Sequence, residues 1–281
     1  MAPGPDMQTF LPYPCFSRSA EVLDDRRLGK QRVEVLQVLR ALHLEDYGWS
    51  HHPAVQMWRG HTRALVAYGL AVVGEWCRRG YADSTRPNIV EFAMPQQVVA
   101  EADLPSAERP PWLGWSPLHR SHRAALVRKD PDTYGSVFPD VSPETPYVWP
   151  APPVARAPRD PVSGWVVRAL SAEVLAVFDA EDLVGLPAGF GAFPARSKKH
   201  RQVQRLQQAQ AGDRVVVPVG GDLLCGRLRG AVVEREVARQ AYLTRSVVWE
   251  RTLARSSLLR PYQLQDPQLV FPLRGEQVLA G

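Results

Sequence analysis

A stripe of charged side chains runs along residues 23–42, which read LDDRRLGKQRVEVLQVLRAL. Arg26, Lys30 and Glu34 are four residues apart in succession, so on a helix each lies beside the next. Lysine before glutamate is the weaker order for helix stability, and only four of the 34 basic residues are lysines. The stripe is therefore either a solvated charged face or a site that uses an amine and a carboxylate, chemistry that arginine cannot supply.

A second polar cluster lies in LHRSHRAALVRKDP, where histidines and cations flank an expected helix. One interpretation is a clamp for DNA phosphates, assisted by the helix N-terminus. Its members would be His119, Arg120, His122, Arg123, Arg128 and Lys129. The two histidines could also bind a metal, but we find no convincing third ligand and predict no metal site. The alternative interpretation is helix capping and surface charge.

Tryptophan is frequent in the first half, with six residues among the first 150. Trp58 and Trp76 fit an apolar helix face and are expected in the core. Trp112 and Trp115 lie in the loop PPWLGW and are candidates for stacking on an unpaired base. The alternative is that these loop indoles pack against the protein.

The elements that must position these residues are predicted to be helices in the first half. A first long helix is expected after a cap at Ser17 or Ser19. Its apolar face would be formed by Leu28, Val35, Leu36, Leu39 and Leu42. A second long helical pattern runs from Pro53 to Gly80. A third helix is expected to be capped by Ser116.

The second half has a different pattern. Short β-branched runs separated by Gly, Pro and Asp predict strands in GWVVRAL, DRVVVPV, DLLCGRLRGAVVERE, SVVWER and LVFPL. One helix is expected at residues 198–210. The fold class is therefore multi-domain α + β. It would comprise a mainly α-helical domain over residues 1–150, a Pro-rich linker over 151–163, and a small β-barrel with one helix over 164–281.

Charge is divided unequally between the halves. Residues 1–150 carry 16 Lys and Arg against 17 Asp and Glu, whereas residues 151–281 carry 18 against 12. The basic excess in the second half is a mild sign of a polyanion-binding module, unless it only reflects composition. The sequence shows no apolar run long enough for a membrane span, no secretory signal and no disulfide framework. We expect a cytoplasmic, nucleoid-associated protein.

Three segments resemble the pyrimidine-dimer DNA glycosylase superfamily, the phage endonuclease V type. LDDRRLGKQRVEVLQVL is similar to its first helix, HHPAVQMWRGH to its Asn-His-Pro segment and LVAYGLAVVGEWCRRGY to a later helix. The chain is most similar to a bacterial branch that opens MQTFLPYP and also carries RSHRAALVRKDPDTYG and PYVWP. The resemblance covers about residues 7–150 and implies a helical domain that excises a base from DNA.

The resemblance implies roles for individual residues. Glu34 corresponds to the catalytic carboxylate of the family. The phosphate-binding cations of the family correspond to Arg26, Lys30 and Arg32, with Arg27 adjacent. His52 and Pro53 match the His-Pro pair, although His51 stands where the family has asparagine.

The resemblance also implies a nucleophile, which in the family is a free α-amino group near the start of the domain. It attacks the sugar C1′, expels the base and leaves an imine that can eliminate the 3′ phosphate. An α-amine titrates near pH 7.7–8.0, so part of it is neutral at physiological pH. Met7 matches the family start, but MAPGPD precedes it. The open alternatives are an α-amine of Met7, an α-amine of the extension, the Lys30 amine, and water activated by Glu34.

The second half more loosely resembles the small SH3-like barrel found beside Mrr-type restriction nucleases, over about residues 164–273. The resemblance implies DNA binding and the sensing of a modified base. The expected contacts are Lys198, Lys199, His200, Arg201, Arg205, Arg245, Arg251 and Arg255. The alternative for each of them is solvated surface.

The leading hypothesis is a DNA glycosylase, with or without AP-lyase activity, that excises a damaged or modified base in repair or in defence against modified foreign DNA. A non-catalytic reader of modified or damaged nucleic acid and a nuclease-like defence protein are the alternatives. We expect double-stranded DNA as the partner, no cofactor, no membrane association and a monomer.

Overall fold

The computed structural model describes residues 7–95, 97–152, 154–155 and 157–276. The chain divides into two compact units between Ala157 and Pro158. This boundary falls inside the Pro-rich segment. The N-terminal MAPGPD lies outside the described residues, so the α-amine of the extension is not placed by the structure. No helix within the described ranges is long and apolar enough to span a membrane.

The first unit is mainly helical, as predicted. Its helices are α1 (Phe16–Glu21), α2 (Asp25–His43), α3 (Pro53–Gln56), α4 (Thr62–Arg78), α5 (Arg86–Val90), α6 (Ser116–Lys129) and α7 (Pro131–Tyr134). Single 3₁₀ turns at Glu91–Ala93 and Ser106–Glu108 interrupt the connection between α5 and α6. Four of the five residues in the predicted apolar face of α2 are buried, namely Leu28, Val35, Leu36 and Leu39.

The start of α2 differs from the prediction. Its N-cap is Asp24, whose side chain accepts a hydrogen bond from the Arg27 backbone N–H at 3.0 Å. Aspartate is as good a cap as serine, and Ser17 and Ser19 belong instead to the separate helix α1. The two long helices α2 and α4 approach closely at Gly69, where a Cβ would lie 2.7 Å from Val35 Cγ1.

The second helical pattern is two helices rather than one. α3 ends at Gln56 and α4 begins at Thr62, and Gly60 lies between them with a φ of +84°. A left-handed residue cannot continue a right-handed helix. The helical spacing of apolar residues therefore runs through the sequence, although the helical backbone is interrupted. Trp115, rather than Ser116, is the residue that precedes α6.

The second unit is built on one six-stranded sheet. Its strands are β1 (Val162–Val167), β2 (Leu183–Pro187), β3 (Arg214–Val219), β4 (Asp222–Val237), β5 (Gln240–Ala254) and β6 (Val270–Arg274). The strand order is β2-β5-β4-β3-β1-β6, with β1 and β3 parallel and the other neighbours antiparallel. β2 and β6 are the two edges of this order, so the sheet is open and the predicted SH3-like barrel is not confirmed.

Two further features of the second unit were not predicted. α9 (Lys198–Gln208) is the helix expected at residues 198–210, whereas α8 (Ala172–Ala180) was not predicted. β2 was also missed, because its short sequence LVGLP has no alternation and ends in proline. Buried side chains form two separate hydrophobic clusters around the sheet.

Candidate active site

A segment without regular secondary structure, residues 7–11, is buried in the first unit and is held by side chains rather than by a sheet. Gln31 of α2 binds it twice: its Oε1 accepts from the Phe10 N–H at 2.9 Å and its Nε2 donates to the Gln8 carbonyl at 2.8 Å. The Tyr68 hydroxyl of α4 donates to the Phe10 carbonyl at 2.7 Å. Buried backbone groups need partners, and here the partners come from the surrounding helices.

Two histidines of α6 complete this anchorage. His122 Nδ1 accepts a hydrogen bond from the Leu11 N–H at 2.8 Å. His119 Nε2 accepts from the Gly114 N–H at 2.9 Å, so its Nδ1 carries the proton and donates to the Leu11 carbonyl at 2.7 Å. Burial lowers the pKa of both rings, that of His122 to about 3, and both are therefore neutral at physiological pH.

The prediction that His119 and His122 grip phosphates is corrected by this placement. Both rings are buried and neutral, and they bond to the backbone. Among the described residues, no group of three or more His, Cys, Asp or Glu is arranged to hold a metal ion. The two histidines instead fix the segment that precedes α1.

Glu34 lies beside the beginning of this segment. Its residue is only 5% exposed, and its carboxylate accepts a hydrogen bond from the Gln8 backbone N–H. Lys30 Nζ lies 3.2 Å from Glu34 Oε1, and the Lys30 side chain is 61% exposed. Glu34 also feels the positive charge of Lys129. In the stripe on α2 the cations Arg26 and Lys30 are therefore exposed, whereas the carboxyl group of Glu34 is buried.

The environment of Glu34 sets its protonation. Burial raises the pKa of the carboxyl from 4.5 to about 7, and the nearby charges of Lys30 and Lys129 only partly oppose this. A carboxyl group with a pKa near neutrality can both donate and accept a proton at physiological pH. Such a shift in a specific charged setting is typical of functional sites.

The shift has a consequence for stability. Because the folded-state pKa of Glu34 is raised, its favourable contribution is complete below pH 4.5 and is lost as the pH rises through about 7. Glu34→Gln is therefore expected to be more stable than the parent at high pH. The gain in unfolding free energy should grow by roughly 2–3 kcal/mol between about pH 5 and pH 8, at about 1.36 kcal/mol per pKa unit.

Glu75 is the matched control for this measurement. It is also buried, but its hydrogen bond with Arg78, and then that with Arg79, lowers the pKa of its carboxyl. Glu75→Gln should therefore lose stability at pH 8. Urea unfolding of the parent and the two variants at pH about 5 and pH about 8 tests the opposite stability changes expected of the variants. A Glu34→Gln chain that is no more stable than the parent at pH 8 contradicts the raised pKa.

Arg27, which the sequence assigned to DNA binding, forms ion pairs with acidic residues of the protein itself. Its guanidinium contacts Asp24 at 2.5 Å and Asp130 at 3.1 Å. It also lies over the Tyr134 ring, 5.2 Å from the centroid. Arg27 thus joins the start of α2 to α7, and the structure does not place it as an available phosphate contact.

Arg32 is committed in the same way, whereas Arg26 is exposed. Arg32 Nη1 bonds to Asp83 at 2.6 Å and its guanidinium lies over the Trp76 ring at 4.7 Å. Asp83 in turn accepts the backbone N–H of Thr85 at 2.9 Å. Two of the four cations predicted on α2 are therefore structural, and the exposed ones are Arg26 and Lys30.

The cations of α6 remain at the surface. Arg120, Arg128 and Lys129 are exposed, and Arg123 is half-buried. Arg123 donates to the Pro12 carbonyl at 2.9 Å, and Arg128 donates to the Pro143 carbonyl at 2.6 Å. Lys129 is the member of this set whose charge reaches Glu34.

The aromatic candidates separate in the structure. Trp112 is 5% exposed, its Nε1 donates to the Met57 carbonyl at 2.9 Å, and it packs edge-on against the buried Trp58. Base stacking by Trp112 is therefore not supported. Trp115 is 47% exposed. His52 caps α3 by accepting from the Ala54 N–H at 3.2 Å and is half-buried.

Sequence reasoning missed Gln31, the residue that holds the buried segment most directly. A signal was present, because Gln31 lies three residues after Leu28 and four before Val35, within the apolar face of α2. A polar side chain at such a position must have a buried partner. The contacts of Tyr147 and Trp149 were also missed, although both residues lie in PYVWP, one of the segments that carry the resemblance.

The second unit presents some of its predicted cations and buries others. Lys198 and Lys199 are exposed at the start of α9, and Lys199 Nζ lies 4.2 Å from the centroid of Phe193. Arg201 donates to the Arg196 carbonyl at 2.9 Å. Arg245 is only 4% exposed and donates to backbone carbonyls at the end of α9, so its assignment to DNA is corrected.

Comparison with known proteins supports the superfamily for the first unit. A family model described as pyrimidine dimer DNA glycosylase matches residues 7–87. The match includes Met7, Gln31 and Glu34, and at the level of the family it indicates a DNA glycosylase type of protein with DNA as its substrate. No curated protein and no solved structure matches the chain. The match does not reach the second unit, whose resemblance to Mrr-type modules stays a prediction.

Proposed function

We propose that the chain is a DNA glycosylase that breaks the bond between a damaged or modified base and its sugar in double-stranded DNA. The observation that carries this proposal is the buried Glu34, whose pKa is raised to about 7 and which is bonded to the Gln8 backbone. The match of residues 7–87 to the glycosylase family supports it. Exposed Lys30, Arg26 and Lys129 supply positive charge for the phosphates.

In the proposed reaction a nucleophile forms a bond to C1′ while the bond from C1′ to the base breaks. The departing base takes the electron pair and accepts a proton, and the nucleophile loses one proton as its bond to C1′ forms. If the nucleophile is an amine, protonated Glu34 gives its proton to the ring oxygen, and the C1′–O4′ bond opens to form an imine. Loss of a C2′ proton then expels the 3′ phosphate, which is the AP-lyase step. If the nucleophile is water, Glu34 accepts its proton and no imine forms.

The nucleophile is either an α-amine or water in our preferred assignment. The Gln8 N–H bonds to Glu34. An α-amine on Met7 would therefore belong to the residue immediately before the one that contacts the carboxyl group. Lys30 is also within reach, since its Nζ lies 3.2 Å from Glu34 Oε1. That amine already contacts the Glu34 carboxyl group, so this contact would have to break before the amine could attack a sugar carbon.

The test is a panel of duplex oligonucleotides, each with one pyrimidine dimer, one deaminated, oxidised or alkylated base, or one enlarged pyrimidine. Released base is measured by mass spectrometry, and strand cleavage is measured with and without alkali. We expect release from at least one member of the panel and far slower release by Glu34→Gln. If the protein binds one duplex selectively and releases no base at any pH between about 6 and 8, the result would instead support the non-catalytic reader.

We further propose that the second unit adds affinity for DNA through the start of α9. Lys198 and Lys199 are adjacent and exposed, with the exposed Phe193 beside them. Each lysine that neutralises a phosphate releases counterions and steepens the dependence of affinity on salt. The basic excess of residues 151–281 agrees with such a role.

Changing Lys198 and Lys199 together to glutamine is expected to lower the slope of log affinity against log salt by roughly two. Fluorescence anisotropy between about 50 and 200 mM salt measures this on the full chain. Arg235 and Arg239, exposed toward the far end of the β4–β5 hairpin, give the control with the same change of charge. Equal slopes for the two double variants would mean that net charge, and not contact by α9, is responsible.

A further inference from the structure

A row of aromatic rings runs across the first unit from its interior to its surface. The Tyr147 ring lies 4.7 Å from the ring of buried His122 and stacks on Trp149, with centroids 4.4 Å apart and planes at 22°. Trp149 meets His52 edge-on at 5.8 Å, and His52 meets Trp49 edge-on at 5.6 Å. We call Tyr147, Trp149, His52 and Trp49 the aromatic row.

The inner end of the aromatic row adjoins the segment that leads to Glu34. His122, beneath Tyr147, bonds to the Leu11 N–H at 2.8 Å. The Val148 N–H, between the two stacked rings, donates to Ser121 Oγ at 3.1 Å, which ties the row to α6. The same segment contains Gln8, whose N–H bonds to the Glu34 carboxylate.

The outer end of the row is open and strained. Trp49 is 40% exposed, so one indole presents π surface to solvent. Its φ is +72°, a left-handed conformation that bulky residues rarely adopt and that persists only where the surroundings enforce it. The turn is closed by the His52 N–H, which donates to the Trp49 carbonyl at 2.8 Å.

We infer that the aromatic row is a stacking surface for one unpaired nucleobase of DNA, with Trp49 as its exposed contact. This inference rests on the proposed function, since a glycosylase must separate a base from the duplex before it can act. Every base has a π face, so stacking on indoles favours an extruded base whatever its sequence context. Exposed Lys30 and Lys129, whose charges reach Glu34, complement the phosphates that accompany the base.

The probe is a 30-base-pair duplex with one 5-iodouracil opposite a tetrahydrofuran abasic-site analogue, so that the iodouracil is unpaired. The protein is the full chain carrying Glu34→Gln, which separates binding from base release. Affinity is measured by anisotropy, and irradiation at the iodouracil band crosslinks the base to a stacked aromatic side chain, which mass spectrometry identifies.

Trp49→Ala is expected to weaken binding of this duplex about tenfold, whereas Trp49→Phe should stay within about threefold of the parent, because a phenyl ring still stacks. Binding of the fully paired duplex should change little in either. The crosslink should map to the aromatic row. Tyr81→Ala is the matched control, because Tyr81 is also 40% exposed in the first unit, and its binding should be unchanged.

Two results overturn the inference: unchanged preference for the unpaired base in both Trp49→Ala and Trp149→Ala, or a crosslink that maps to another residue such as Trp115. In either case the duplex with the unpaired base is still preferred and the proposed function stands. A parent chain that binds both duplexes equally would likewise overturn the stacking surface, whereas the proposed function is decided separately by base release from the oligonucleotide panel.

Discussion

Glu34→Gln is expected to slow base release by about 10²–10⁴-fold, the range that one positioned acid or base contributes. Glutamine keeps the size of the side chain and can still accept the Gln8 N–H, but it cannot give or take a proton. The loss should therefore fall on kcat and equally on kcat/KM, the mark of an interaction made in the transition state. Single-turnover release from the best substrate of the oligonucleotide panel measures it.

The control for this prediction is again Glu75→Gln, a change of the same type at a second buried glutamate. Glu75 is paired with Arg78 and Arg79 at the C-terminal end of α4, so its loss should alter stability and leave the rate of base release within about threefold of the parent. Duplex binding should be retained by Glu34→Gln, because its role is not to grip phosphate. Undiminished release by Glu34→Gln would remove Glu34 from the mechanism.

The helix that carries Glu34 was predictable because its signal is local. The apolar periodicity of α2 survives in the structure, with Leu28, Val35 and Leu39 all buried. Its exact start was not, because Asp24 and the two earlier serines are all good caps, and a cap is selected by which one tertiary packing permits. The Tyr134 hydroxyl bonds to Asp24 at 2.6 Å from 110 residues away, and no local pattern reports such a contact.

The open sheet of the second unit was not predictable for a related reason. Each strand except β2 can be recognised from its own residues, but closure depends on whether the two edge strands meet. The parallel pairing of Trp165 with Val215 joins β1 to β3, and α8, β2 and α9 separate these two strands in the sequence. Strand runs separated by turn residues fit an open sheet and a barrel equally well.

Charge patterns predicted one contact of the candidate site and overstated how many cations are exposed there. The stripe identified Glu34 and Lys30, whose ion pair is present at 3.2 Å. It did not separate Arg26 from Arg27 and Arg32, because Asp83, which engages Arg32, and Asp130, one of the two acids that engage Arg27, are distant in sequence. Whether a cation is free or engaged depends on the fold, so a sequence overstates the number of groups available to DNA.

The chain that begins at Met7 is expected to become covalently trapped on its DNA substrate under borohydride, and the chain that carries MAPGPD is expected to trap far less. In the shorter chain the nitrogen of Met7 is an α-amine, of which roughly a third is neutral at about pH 7.5. It is one residue from the N–H that bonds to Glu34. In the longer chain the same nitrogen is an amide, which is not a nucleophile.

The magnitude follows from position. An amine misplaced by about 1 Å can lose on the order of 100-fold in rate, and the two prolines and glycine of the extension disfavour a helical return of its own amine toward Glu34. Intact mass spectrometry of each chain establishes which residue is first. Gel shift of the trapped complex, normalised to base released, measures the trapping.

Lys30→Arg in both chains decides between the amines. Arginine keeps the charge beside Glu34 but cannot form an imine, so trapping that survives in Lys30→Arg and depends on the Met7 start assigns the nucleophile to the α-amine. Equal trapping of the two chains, abolished by Lys30→Arg, would assign it to Lys30 and contradict our preferred order. Base release without trapping in either chain would assign the attack to water, with Glu34 as its base, and would exclude AP-lyase chemistry through an imine.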